Sequence, residues 1–407
     1  MRESLRILLV NAHWNNRGDE AALCSLVDEL LLEEGKGELV ELKIYVIFKE
    51  TSFIVDWPYP GKVEYTITKY LPSENEVLQA LSSGYSDNSE MRKEIGLIDL
   101  ADIVIYTPGG AVISDRFWWE KQLEYIFPIA YAQKKGKKTV FAAPSVGPFS
   151  ENHLLRKTLF ERTDAVCLRE SIGLRAIRAF TGDLGNITLS CDLAFLSEVD
   201  RESADKILQS DADLTAFLRR FEKIVGITVT DLSWNVGFLG DKSVKRTIED
   251  SFSTFIEWLD TQDIGVVLIP QLFGGQNDRD YLSRFIRDNC LLLSDRYNCN
   301  FQQYLISRLY AVVGVRYHCN IFAAKMGIPM IPIVYEQKMK GFLQDSKLES
   351  WGIDVYDISG EKIILYFKTL CSEYITRKEY LQKHAKVWKK KARNTIDAIV
   401  QIARDQI

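Results

Sequence analysis

The chain is poor in the residues that staple small scaffolds or cross membranes. Its seven cysteines, Cys24, Cys167, Cys191, Cys290, Cys299, Cys319 and Cys371, include no C-x-x-C pair. That excludes a disulfide framework and a thiolate zinc site, and it reads as the reduced, buried thiols of a cytosolic protein. Four histidines, His13, His153, His318 and His384, leave little material for a metal cluster. With only ten prolines and no low-complexity tract, the composition is that of an ordinary globular protein. No apolar run approaches the roughly 20 residues that span a bilayer. The opening MRESLRILLV is a charged start that runs straight into a strand, unlike a signal peptide. A net charge of -5 gives no general attraction to nucleic acid.

What is present is a chain of 407 residues, 46% hydrophobic and 26% charged, which is too long for one core and fits two. Its most informative stretch runs from Leu309 to Leu343. LYAVVGVR is a short β-branched strand, Tyr317-His318-Cys319-Asn320 a polar corner, and IFAAKM a helix apolar on nearly every face. Gly327 stops that helix, Pro329 stiffens the exit, and IPMIPIVY is the next strand. In a parallel sheet ligands sit at the carboxyl ends of strands. Here that end carries Arg316 and His318 just before a helix N-terminus, a combination suited to a carboxylate or phosphate. Tyr335, Glu336 and Lys338 stand at the end of the following strand and complete the same pocket.

Strand and helix alternate from residue 5 to 196, which predicts a doubly wound α/β domain. LRILLVNA leads into the corner Asn16-Arg17-Gly18-Asp19, with Gly18 permitting the turn and Asp19 as the cap of a helix ended by Gly35. DIVIYTPGGAVISD is a strand whose polar corner holds Pro108, Gly109, Gly110 and Asp115, the glycines letting the backbone approach a ligand. The aromatic run Arg116-Phe117-Trp118-Trp119 that follows reads either as core or as a platform for sugar rings. The stretch from Ser52 to Gly96 reads as an irregular lid or insertion. Ser145-Val146-Gly147-Pro148, Arg169 after AVCL, and Asp192 mark further strand ends.

Residues 197–222 are charged and serine-rich and are expected to be a linker with one or two short helices. The alternation then restarts, with a strand at KIVGITVTD and helices from Val244 to Leu259, Asp278 to Cys290 and Phe301 to Leu309. The corner of residues 270–278 contributes Gln271 as a candidate ligand. The boundaries expected are thus 1–196, a linker 197–222, 223–375, and a basic amphipathic helix 376–407. That helix carries eight Lys or Arg between residues 377 and 393 against one Glu, with an apolar stripe of Leu381, Ala385, Trp388, Ala392, Ile396, Ile399 and Ala403. Such a stripe usually packs on its own protein, and the alternative is contact with the inner face of a membrane through the basic side.

The order of these corners resembles the polysaccharide pyruvyl transferase family. The set is N-x-G-D-E-A at 16–21, the glycine pair after the third strand, S-V-G-P at 145–148, R-E at 169–170, C-D-L-A-F at 191–195, and R-Y-H, G-I-P and Y-x-x-K-x-x-G-F between 316 and 342. The resemblance implies two Rossmann-like domains facing a central cleft, as in GT-B glycosyltransferases, the first taking the acceptor. It also implies transfer of the pyruvyl group of phosphoenolpyruvate onto a sugar, free or lipid-linked, as a ketal with release of phosphate, and no cofactor. By position Arg316 and His318 match the family's R-x-H and become the catalytic candidates, while Arg169 matches a basic corner residue. With the corners already described, the substrate-binding candidates are Arg169, Lys338, Asn16, Gly18, Asp19, Gly109, Gly110, Asp115, Gln271 and Glu336. Pro108, Glu170, Gly173 and Gln271 depart from the family's usual residues. A nucleotide-sugar glycosyltransferase and a non-catalytic glycan-binding relative are the alternatives.

Overall fold

A computed structural model of the chain describes residues 3–49, 57–230, 232, 241–274 and 277–407. The chain divides into two units. The first comprises Met1–Asn15, Ala22–Leu196 and Lys389–Ile407, the second Asn16–Ala21 and Ser197–Trp388.

The first unit is built on seven strands, β1 (Ser4–Ala12), β2 (Glu41–Phe48), β3 (Val63–Ile67), β4 (Ile103–Tyr106), β5 (Lys138–Ala142), β6 (Ala165–Leu168) and β7 (Ile187–Leu189). They form one sheet in the order β3-β2-β1-β4-β5-β6-β7, parallel at every pairing. The second unit has six, β8 (Ile224–Thr228), β9 (Gly265–Leu268), β10 (Cys290–Leu292), β11 (Ala311–Gly314), β12 (Met330–Val334) and β13 (Ile353–Asp354). Their order is β10-β9-β8-β11-β12-β13, again parallel throughout. Central strands such as IVIY, GVVL and AVVG are buried along their whole length, as expected of strands covered by helices on both faces. In each sheet the winding reverses beside its first strand, so the switch points fall between β1 and β4 and between β8 and β11. Val10, Tyr106, Phe127 and Phe141 belong to the core of the first unit, Val225, Phe255, Val313 and Ile331 to that of the second.

Several expectations are corrected. The stretch read as an irregular lid carries β3 and two capped helices, Glu74–Ser83 and Ser89–Leu100; residues 52–56 lie outside the described residues. The helix expected from Asp278 to Cys290 stops at Leu282 and gives way to a single tight turn and then β10. Asn289 accounts for the change, because its carbonyl accepts from Val266 N at 2.8 Å in strand fashion while its side chain donates to Ile264 O at 3.0 Å. The short helices expected in residues 197–222 are present, Arg201–Ser210 and Ala212–Arg220; their Ala204, Leu208 and Leu214 are buried, and the segment counts to the second unit. The basic segment is part of a helix of 31 residues, Tyr374–Arg404, which belongs to the second unit through Trp388 and to the first from Lys389. Its stripe of Leu381, Trp388, Ala392, Ile396, Ile399 and Ala403 is buried. Among the described residues no helix is long and apolar enough to cross a membrane.

Candidate active site

At the switch point of the second sheet β11 ends at Gly314, and Arg316 caps the helix Tyr317–Met326. The helix thus begins inside the stretch read as a corner and places His318 in its first turn. Gly327, with φ of 72°, ends it as expected.

Arg316 is buried, and its Nε and Nη2 donate to the two oxygens of Asp278, the Nε bond at 3.0 Å. Asp278 Oδ2 also accepts the amides of Gln271 at 3.0 Å and Leu272 at 2.9 Å. One carboxylate therefore holds the backbone at Gln271 and Leu272 and aims the arginine. Burial works against the guanidinium's charge, but Asp278, with Tyr335 and Glu336 adding, raises its pKa above the ordinary value. Asp278 is the main residue that the sequence reading left without a role. The only signal available in the sequence was an acid at the end of a polar corner.

His318 is buried against Gly18. A Cβ built on Gly18 would lie 1.8 Å from Cγ and Nδ1 of the imidazole, so only glycine fits there. Residues Asn16–Ala21, expected with the first domain, belong to the second unit because they bond within it. Asn16 forms an antiparallel bridge with Leu272, and Arg17 N donates to Gln271 O at 2.9 Å. The helix Arg17–Gly35 is capped by Asn16 and not by Asp19, since Asn16 Oδ1 accepts Gly18 N at 2.9 Å and Asp19 lies in the first turn. Arg17 is held by Glu20 at 2.7 Å, by Asp295 O at 2.8 Å and over the ring of Phe273. Two helix N-termini, with their partial positive charge, therefore flank one imidazole.

The end of β12 reaches the same place. Lys338 pairs with Glu336 at 2.9 Å and stands 5.4 Å from the ring centre of Tyr317. Tyr335 is held protonated by burial and then by Glu336. The second unit thus assembles Arg316, His318, Gly18, Asn16, Glu336 and Lys338. Gln271 belongs to the corner but turns inward, its Nε2 donating to Gln302 Oε1 at 2.5 Å.

The remaining candidates lie in the first unit. Arg169 is buried and ties four strand ends together, donating from Nε to Ser145 Oγ at 2.9 Å, from Nη1 to Asp192 at 2.8 Å and from Nη2 to Gly109 O at 2.7 Å. A Cβ on Gly109 or Gly110 would meet nothing within 4 Å, so the space in front of both is open. Asp115 clips a loop. It accepts from Ser150 N, from Ser150 Oγ at 2.8 Å, from Glu151 N at 2.9 Å and from Arg156 at 2.6 Å. Burial opposes its charge, yet these donors hold its carboxyl down to about 2. Trp118 is exposed, while Trp119 stacks on His153 with ring centres 3.8 Å apart. The two departures at 170 and 173 explain each other: Glu170 caps its helix by accepting Gly173 N at 2.8 Å, and a Cβ on residue 173 would lie 2.8 Å from the glutamate oxygen. Among the described residues no three His, Cys, Asp or Glu side chains are grouped to hold a metal ion.

Two Rossmann-like units, with the Arg316–His318 corner at the switch point of the second, define a GT-B-like α/β protein. Solved structures share this fold. A putative UDP-N-acetylglucosamine 2-epimerase from Listeria monocytogenes is 13% identical, with a TM-score of 0.58 over 99% of this chain and 97% of its own. HepE from Anabaena, in complex with UDP and glucose, is 12% identical, with a TM-score of 0.59 over 99% of both chains. The UGT2 of Phytolacca americana, complexed with UDP-2fluoro-glucose and pterostilbene, is 11% identical, with a TM-score of 0.56 over 98% of this chain and 100% of its own. The chain itself belongs to the polysaccharide pyruvyl transferase family, which it matches over residues 16–337.

Proposed function

We propose that the protein transfers the pyruvyl group of phosphoenolpyruvate to two hydroxyls of a saccharide, closing a ketal and releasing phosphate. The observation that carries this reading is the second unit's corner. There a buried arginine fixed by Asp278 and an imidazole between two helix N-termini stand together, an arrangement suited to a small anion bearing both carboxylate and phosphate.

In this reading His318 donates a proton to C3 of phosphoenolpyruvate, turning the methylene into a methyl group while C2 takes up positive character. The first saccharide hydroxyl adds at C2 and gives its proton to the His318 imidazole, restoring the acid. The second then forms the other C–O bond as the C2–O bond to phosphate breaks, its proton and the bonding electron pair leaving with phosphate. Arg316 supplies fixed positive charge and Lys338 assists, oriented by Glu336. A positioned general acid is typically worth roughly 10²–10⁴ in rate. Arg169 acts at one remove, holding the Gly109 corner, and Asp115 serves the loop it clips.

The test is thermal unfolding of the wild type and of Arg316→Ala with phosphoenolpyruvate, then with UDP-, GDP- and CMP-sugars, followed by phosphate release with candidate saccharides. A ligand at a hundred times its Kd adds about 2.7 kcal/mol, a shift of a few degrees. Stabilisation of the wild type alone by phosphoenolpyruvate is the expected result. Stabilisation by a nucleotide sugar alone would replace this reading with glycosyl transfer.

A further inference from the structure

We infer that Asn320 is the positioning residue of the R-x-H corner, setting where Arg316 and His318 stand without touching substrate; the inference rests on the proposed role of those two residues. Asn320 is fully buried one helical turn beyond Arg316. Its Nδ2 donates to Gly314 O and to Arg316 O, both at 2.9 Å. These carbonyls are the last of β11 and the first of the helix, so one amide group fixes the angle at which the chain leaves the sheet. Every side chain of the first helical turn, His318 included, follows from that angle.

The neighbours are shaped to the amide. A Cβ on Gly314 would lie 2.8 Å from Asn320 Nδ2, 3.1 Å from its Oδ1 and 3.0 Å from Thr228 Cγ2. Gly314 and Thr228 are themselves paired across β11 and β8 at the switch point. Asn320 Oδ1 and Thr228 Oγ1 are buried with no hydrogen-bond partner among the described residues. A buried oxygen left so costs stability, and an aliphatic side chain would avoid the cost. The amide stands where its two donors are used, at a local cost in stability of the kind found at functional positions.

The test compares Asn320→Ala, Asn320→Asp, Gly314→Ala and the double variant Gly314→Ala/Asn320→Ala. Positioning predicts that Asn320→Ala lowers kcat about 10–100-fold and raises KM for phosphoenolpyruvate, since displacement of a catalytic group by about 1 Å costs on that order. Asn320→Asp keeps the shape, loses both donors and behaves no better. Gly314→Ala reproduces the defect, and the double variant is no worse than the more damaged single, because the shortened side chain at position 320 removes two of the three close contacts of the new Cβ, the 2.8 Å one included. If Asn320→Ala fails to fold, Asn320→Ser, which retains one donor, takes its place and gives an intermediate defect. Unchanged kcat and KM in Asn320→Ala or its serine replacement would overturn the inference, as would full activity in Asn320→Asp. A wild-type protein that neither binds phosphoenolpyruvate nor releases phosphate from it would overturn the functional reading, and this inference with it.

Discussion

The His318 ring fills the space that any side chain at position 18 would need, so in the proposed reading a backbone position bears on the chemistry. Gly18→Ala is expected to push the imidazole aside, lowering stability by about 1–3 kcal/mol through overpacking and lowering turnover with it. In a His318→Ala background the same change meets no ring, so its stability cost shrinks. Urea unfolding of the four proteins checks this, and equal costs in both backgrounds would remove the ring as the cause. Asp115 makes a different prediction. Its folded carboxyl titrates at about 2 against 3.8 for the ordinary group. The charged form therefore stabilises the fold above the unfolded value, and that contribution is lost as pH falls through the folded one. Asp115→Asn should lower Tm at pH 7, with the gap to wild type narrowing as pH falls from about 4 to about 2.

At the scale of elements, the unit running from β11 through its helix to β12 was readable from residue types alone. AVVG is apolar and buried, the IFAA of the helix is apolar and buried, and Gly327 sits where an αL residue ends a helix. What escaped reading depended on partners far along the chain. Nothing near Asn16 reveals that its neighbours bond to Gln271 and Leu272, and nothing near Asp278 reveals that Arg316 lies 38 positions on. Asn289 and Cys290 look helical locally until β9 supplies strand partners. The stripe of Tyr374–Arg404 was readable as a packing face, whereas its charged partners were not. In the first unit Arg393 pairs with Glu29, with Glu33 at 2.5 Å and with Asp397 at 3.0 Å, joining this helix to Arg17–Gly35. Arg393→Met leaves three carboxylates near one another and should cost about 1–2 kcal/mol, less at high salt because the group is partly exposed. A urea midpoint indifferent to both mutation and salt would show the network to be idle.

On the scale of the whole molecule, the two units depend unequally on the last stretch of helix. Ile396, Ile399 and Val400 are buried in the first unit, each contributing about 1.5–3 kcal/mol. Against a total stability of about 5–15 kcal/mol, their loss is severe. A chain ending at Trp388 should therefore show calorimetrically a first unit that melts early, while phosphoenolpyruvate still stabilises the second. One cooperative transition at the wild-type temperature would contradict this. The same arrangement has a consequence for how the protein is made. Synthesis runs from the first residue onward, and residues 197–388, which hold nearly all of the second unit, leave the ribosome before the segment that finishes the first. The unit begun first is completed last, so it must wait on the ribosome for Ile396, Ile399 and Val400 while nearly all of the second unit has already emerged.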